Sequence, residues 1–264
     1  MKVPRRSFAG LLAVSLLVTL PSACASQAKK TSSAELLLNE RMAAVLLREG
    51  RAAEAERTYR DVLPSDAKNP EVHDGLGVAL LMQARYKEAF ASFDRAVDLD
   101  HEKPLFRIHR GMASLELGRF ADAEGDFQVA ENSSEADDRL DAAINRGRLK
   151  QRQRDFVAAE EAFSVALSRD PKSSAALVGR GIARESRGAL EPAAQDYLEA
   201  IRLEPKNADA HLRLGLALVT LKKPALGRRY LERTIELDPT GETGAKARLI
   251  LEETQLSGAN SPRS

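Results

Sequence analysis

The chain predicts an all-α solenoid of six stacked helix pairs closed by a C-terminal capping helix, and three observations carry that prediction. First, a small residue returns on a near-constant beat: Ala43, Gly77, Gly111, Gly147, Gly181 and Gly215, in steps of 34, 34, 36, 34 and 34 residues. Second, twelve residues after each comes another small one: Ala55, Ala89, Ala123, Ala159, Ala193 and Gly227. Third, four residues later comes a bulky one: Tyr59, Phe93, Phe127, Phe163, Tyr197 and Leu231. A unit of this length cannot bury its apolar face alone, so consecutive units must stack and share a core.

Each repeat position has a physical reason. Spacings of three and four residues gather the small and bulky side chains on one helical face. Helix axes approach to about 8–10 Å only where the crossing point carries Gly or Ala. The aromatic one turn later fills the space towards the neighbouring helix. Three residues further on stand Val62, Ala96, Ala130, Ala166, Ala200 and Thr234. Pro171, Pro205 and Pro239 close three of the copies, because proline cannot continue a helix and sets up the next pair.

The pattern divides the chain into copies at 36–69, 70–103, 104–139, 140–173, 174–207 and 208–241. Two extra residues fall between the third and fourth copies, within Glu131 to Asp138, and predict a lengthened acidic loop. Copy six has Pro224 and Gly227 where an aromatic and Ala are usual, so its second helix is expected to start late or bend. Residues 242–256 read as a polar-faced capping helix, which such arrays need for solubility. Residues 257–264 read as a disordered tail.

This pattern resembles the tetratricopeptide repeat over about residues 36–239. The resemblance implies a right-handed superhelix whose concave side is lined by the first helix of each pair. It assigns the groove Val78, Leu81, Met82, Ile108, Met112 and Leu115 from the early copies. Arg148, Gln151 and Arg152 follow from copy four, and Ile182 from copy five. Leu81 and Met82 beside Met112 and Leu115 are more apolar than a solvated surface needs, as on surfaces that accept helices or extended peptides. Co-chaperone members of the family grip a carboxylate terminus with Lys and Asn, but here those places hold Glu40, Ala44, Asp74 and Val78. A carboxylate clamp is therefore not expected. The apolar groove with a central basic band implies a folded or amphipathic protein partner.

A polar constellation recurs with the repeat. Arg110 and Arg180 precede the first glycine of copies three and five, and the same copies carry Asp126 and Asp196 before the aromatic. The arginine and aspartate occur together, which predicts an ion pair joining the two helices of one repeat. Copy four, with Arg146 but Ala162, departs from the rule.

Residues 1–23 are a different kind of sequence. Lys2, Arg5 and Arg6 precede the apolar run FAGLLAVSLLVTL, which ends at Pro21-Ser22-Ala23-Cys24. Basic start, short apolar centre and small residues at the end read as a bacterial export signal. About 13 apolar residues are too few for a comfortable span of ~20. Arg5-Arg6 reads either as plain positive charge or as a twin-arginine signal. Cys24 is the chain's one cysteine, so no intramolecular disulfide can form. Ser22-Ala23-Cys24 resembles the lipobox of bacterial lipoproteins, with Pro21 departing from its usual Leu; ordinary cleavage after Ala25 is the alternative. The lipobox resemblance implies acylation of Cys24, an outer-membrane anchor facing the periplasm, and a polar tether over residues 24–35.

Composition excludes several classes. Eight of twelve aromatics occupy two repeat positions, so no basic–aromatic platform remains for nucleic acid. The formal charge of +1 becomes −2 without residues 1–23, which argues the same way. The four histidines are scattered, and the sequence has no phosphate loop or nucleophile elbow. The expectation is a non-enzyme with no cofactor, metal or small-molecule substrate. A lipobox followed by six such repeats resembles the outer-membrane lipoproteins that assist type IV pilus secretins, and tight-adherence pilus lipoproteins. That resemblance implies an adaptor in pilus secretin assembly. The alternative is a scaffold for cell-wall hydrolases or outer-membrane protein assembly machinery.

Overall fold

The computed structural model describes residues 33–259, all organised by helices, with thirteen α-helices and no strand among the described residues. The first helices of the pairs (A-helices) are α1 (Ser33–Arg48), α3 (Pro70–Met82), α5 (Pro104–Glu116), α7 (Ala136–Arg152), α9 (Ser174–Ser186) and α11 (Ala208–Thr220). Their partners (B-helices) are α2 (Ala52–Val62), α4 (Tyr86–Leu99), α6 (Phe120–Ala130), α8 (Phe156–Arg169), α10 (Leu190–Leu203) and α12 (Pro224–Leu237). The last helix, α13 (Glu242–Ala259), packs on α12 and α11. The array is a solenoid of six helix pairs, each stacked on the next. Its core is strung along the array as a row of small clusters.

The crossing points account for the glycines. At Gly77 a Cβ would stand 2.5 Å from Phe93 Cε1, and at Gly111 2.6 Å from Phe127 Cε1. At these two crossings only a bare Cα lets the A-helix accept the ring of its own B-helix as closely as it does. Helix starts are also written locally. Asn69 accepts hydrogen bonds from the Glu71 and Val72 amides, and Asn207 and Ser173 cap α11 and α9 through Ala210 and Ala176. Pro70 and Pro104 sit in the first turn, where no amide is required.

Each A–B turn is closed by one residue in the left-handed region: Gly50, Ala84, Gly118, Arg154, Gly188 and Lys222, with φ between 57° and 83°. The next amide reaches back five residues, as in Arg51 N to Leu46 O at 2.9 Å. Three of these six are not glycine.

Three sequence expectations change here. The two extra residues do not make a long loop: α6 stops at Ala130 and α7, at 17 residues, is four longer than α5 or α9. Asp137, Asp138 and Asp141 thus stand on the first turns of α7, where carboxylates are favoured by the helix dipole. Next, α12 starts on register at Pro224 with proline in its first turn, and Gly227 permits the close approach to Gly215 O and Val219. Finally, α13 runs to Ala259, past the expected end at 256 and into the stretch read as a tail. Its Leu249 stands where Gly215 stands one repeat earlier, 57% exposed.

Candidate partner-binding groove

Successive A-helices from α1 to α9 touch one another directly, whereas successive B-helices are held apart, so the A-helices form the concave side. Two recesses adjoin along it. The first, about 240 Å³, is lined by Leu81, Tyr86, Met112, Leu115, Glu116, Asn145 and Arg148. The second, about 300 Å³, is lined by Arg148, Gln151, Phe163, Val178, Gly179, Ile182, Asn207 and Asp209, among others. Arg148 stands between them, exposed, and donates to Asn145 Oδ1 at 3.1 Å.

The groove residues read from sequence divide into several groups. Leu81 and Met112 are half-buried in the wall of the first recess, and Ile182 likewise in the second. Leu115 contributes to the wall but is 5% exposed and packs with Ala123, Phe127 and Leu149. Val78 is half-buried against the first core cluster, and Met82 is 49% exposed beside the recesses without lining either. Ile108 is not a groove residue: it is 2% exposed, sealed against Ala130 and Ala142. It lies four residues before Met112, on the row where one A-helix meets the next.

The basic band is also reshaped. Gln151 donates to the Gly179 carbonyl at 2.8 Å and so ties α7 to α9. Arg152 pairs with Glu116 at 3.3 Å, joining α7 to α5. Arg148 is the cation of this band that pairs with an amide, Asn145, and with no carboxylate among the described residues. Tyr86, Glu116, Asn145, Asn207 and Asp209 are the lining residues sequence reasoning missed. Asn145 had a signal, since it occupies the place of Gly75 and Gly179, against which the preceding repeat's aromatic packs. Asp141, on the same helix, is held above the usual carboxylate range, first by desolvation and then by Asp137 and Asp138.

The convex side is zipped by arginines. Arg110 forks onto Asp126 through Nε (2.9 Å) and Nη2 (2.6 Å), while Nη1 reaches Asp94 of the preceding B-helix at 2.7 Å. Arg180 holds Asp196 in the same bidentate way, at 3.1 and 2.7 Å. Arg184 adds a bridge between Asp196 and Glu160, both at 2.9 Å. Arg146, whose own repeat has Ala162 at the aspartate place, turns to Glu124 of α6 and to Glu131 just beyond its end. Asp126 and Asp196 are 5% and 3% exposed, so these pairs are buried at the carboxylate end. Where copy six has Leu214 and Leu218 in place of the arginines, the convex side instead has an apolar recess of about 250 Å³.

Among the described residues no His, Cys, Asp and Glu cluster is placed to hold a metal, and no helix is long and apolar enough to cross a membrane. Cys24, the segment read from sequence as a leader (1–23) and most of that read as a tether (24–35) lie outside the described residues.

Two segments match repeat family profiles, residues 41–104 as "Tetratricopeptide repeat" and 181–222 as "TPR repeat". Over those two segments the chain matches the tetratricopeptide repeat. Tetratricopeptide repeat protein 16 of Macaca fascicularis is 27% identical over 178 residues, 62% of this chain but 20% of that protein. The chain thus spans about a fifth of that relative's length. Among solved structures, PilF of Pseudomonas aeruginosa superposes with a TM-score of 0.66 at 16% identity, covering 83% of this chain and 97% of PilF. PilW, described as a widely conserved type IV pilus biogenesis factor, gives 0.69 at 18%, covering 81% and 98%. Cut9 of an APC/C complex gives 0.70 at 17%, covering 80% of this chain and 42% of its own. At these identities the likeness is one of fold. Such repeats act in general as scaffolds for protein interaction rather than as catalysts.

Proposed function

We propose that this chain is a periplasm-facing lipoprotein adaptor whose concave groove binds a protein partner and assists pilus secretin assembly. The observation that carries the binding half is the pair of adjoining recesses, apolar at Leu81, Met112 and Leu115 and cationic at Arg148. An apolar floor with one unpaired cation suits an amphipathic or extended segment that brings a carboxylate. PilF and PilW, which share the fold and nearly the whole length, favour the pilus assignment over other scaffolding roles. The leader and Cys24 favour an anchored envelope location.

The test combines two variants in the native organism. Met112→Glu with Arg148→Glu should abolish binding to the solubilised secretin and reduce secretin multimers while the helical signal stays unchanged. Cys24→Ser should leave the array folded and its detergent-phase binding intact, but move it from the membrane to the soluble periplasm. Assembly should weaken, because tethering raises local concentration. A groove variant that still supports full piliation would remove the secretin role. A Cys24→Ser protein that still sediments with membranes would remove the anchor.

A further inference from the structure

The α1 end of the array is unlike every internal junction. At each of those a B-helix lies on the following A-helix: α2 on α3, α4 on α5, α6 on α7, α8 on α9 and α10 on α11. The covered face is sealed every time. Val72, Phe106, Ala142, Ala176 and Ala210 are at most 1% exposed, and so are the residues seven further on in each helix. The matching residues of α1 are Leu38 and Val45, which are 64% and 44% exposed, with Met42 between them at 50%. Copy one therefore keeps the apolar docking face of an internal repeat, enlarged to Leu, Met and Val, with no helix upon it among the described residues. It borders an open recess of about 430 Å³ whose rim carries both charge signs, Glu49, Arg51, Glu54 and Arg57.

The internal junctions say what fits there. What covers an A-helix on this side is always a B-helix of 11–14 residues, bearing a small residue and, four residues on, an aromatic or leucine. The aromatic comes to rest at one place on the next A-helix, as Phe93 does on His109 with ring centroids 5.5 Å apart. In α1 that place is Arg41, exposed, whose guanidinium offers a flat cation to a ring face.

A second copy has no free B-helix to offer: among the described residues every B-helix, α12 included, is already covered by the helix that follows it. Under the lipoprotein reading, residues 24–32 are what remains ahead of α1, and they carry no aromatic and no leucine to supply it. We propose that the α1 end docks an amphipathic helix of another protein, three to four turns long. Its contact face carries Gly or Ala followed four residues later by Phe or Tyr. This surface is distinct from the concave groove, so the two could engage different segments at once.

The test is site-specific photo-crosslinking in cells making the full chain, with p-benzoylphenylalanine at Met42 and, as control, at Val165 on the convex side. The expected result is a cross-link from position 42 alone, to a helix of one other protein with that small-to-aromatic spacing. Val45→Glu should lower the yield at least about tenfold without moving the melting temperature. Should Val45→Glu disturb folding, Leu38→Lys makes the same test at a more exposed site. Cross-links to residues 1–32 of the same chain, to a second copy, to a partner segment lacking the spacing, or none at all, would overturn the proposal. So would a yield indifferent to both charge substitutions.

Discussion

Gly179→Ala should destabilise this protein although alanine is the better helix former. In an exposed helix interior the exchange gains about 0.5–1 kcal/mol, because glycine loses the most backbone entropy on folding. Position 179 is not exposed. A Cβ there would lie 2.8 Å from Phe163 Cδ1 and closer still to Cε1 and Cζ. The ring cannot step aside, because its other face meets Gly147, where a Cβ would stand 2.7 Å from Cζ. Phe163 is 1% exposed and clamped between α7 and α9, so relief requires the helices to part by roughly 1 Å. Overpacking of this kind costs ~1–3 kcal/mol. Subtracting the propensity gain leaves a net loss centred on about 1 kcal/mol and reaching about 2.5 kcal/mol.

The molecule carries its own control. Gly125, in α6, is exposed, and a Cβ there meets nothing within 4 Å. Gly125→Ala should therefore stabilise by about 0.5–1 kcal/mol. Urea midpoints of the two variants should move in opposite directions, at unchanged slope. Adding Phe163→Leu to Gly179→Ala should cost less than the sum of the two singly, since the leucine vacates the space the methyl needs. Two alanine variants that shift the same way, or strict additivity of the pair, would refute the clamp.

Three further outcomes follow from the packing and the charges. Ala159→Leu, at a fully buried crossing point, should overpack and cost ~1–3 kcal/mol, read as a lower midpoint; no loss would mean that Ala159 is not at a helix crossing. Arg110→Met strands the buried Asp126, whose next cation, Arg107, is 3.8 Å away, and should cost on the order of 3 kcal/mol; Arg110→Met with Asp126→Leu should cost less, and additive losses would exclude the coupling. Desolvation would raise Glu124 and Glu160, but hydrogen bonds from Lys150 and Arg146, and from Arg184 and Arg187, outweigh it and hold both below 4.5. Their contribution is present above the unfolded value and is lost as pH falls through the lowered one. Stability should thus drop below about pH 4.5, and Glu124→Gln with Glu160→Gln should flatten that slope; an unchanged slope would show that other groups carry it.

The helix pairs were legible because their determinants are local and periodic. A small residue and a bulky one sixteen residues apart state one crossing, and the statement is repeated in each copy. The left-handed turn residues were only half legible: Gly50, Gly118 and Gly188 mark them, while Ala84, Arg154 and Lys222 tolerate the conformation without a compositional sign. The acidic insertion could not be assigned to loop or helix from its length, since shortening α6 and lengthening α7 absorbs it as well as a loop would. In the groove, rows four residues apart differ little in angle on a helix. Ile108 and Met112 therefore read alike in sequence, though one is sealed against α6 and α7 and the other lines a recess. The ties made by Gln151, Arg146 and Arg184 join groups 22 to 28 residues apart and depend on the superhelical geometry.

The second recess is built from the same atoms that set the helix crossing beneath it, and this makes stability and recognition inseparable there. Phe163 and Gly179 line it, and the Gly179 carbonyl holds Gln151. Parting α7 from α9 must therefore lengthen that hydrogen bond and release Gln151 into the recess. The first recess shares only Arg148 with the second, and its floor rests on Phe127 and Leu149 in the adjoining cluster. In an array where each repeat contacts only its neighbours, a distortion at α7–α9 should fade within one repeat. A partner held in both recesses should then lose affinity on Gly179→Ala through the α9 side alone. Amide exchange would show it: protection should fall in α8 and α9 and stay unchanged in α3 and α4. Equal loss of protection along the whole array would mean that the repeats open as one unit and that the recesses cannot be tuned separately.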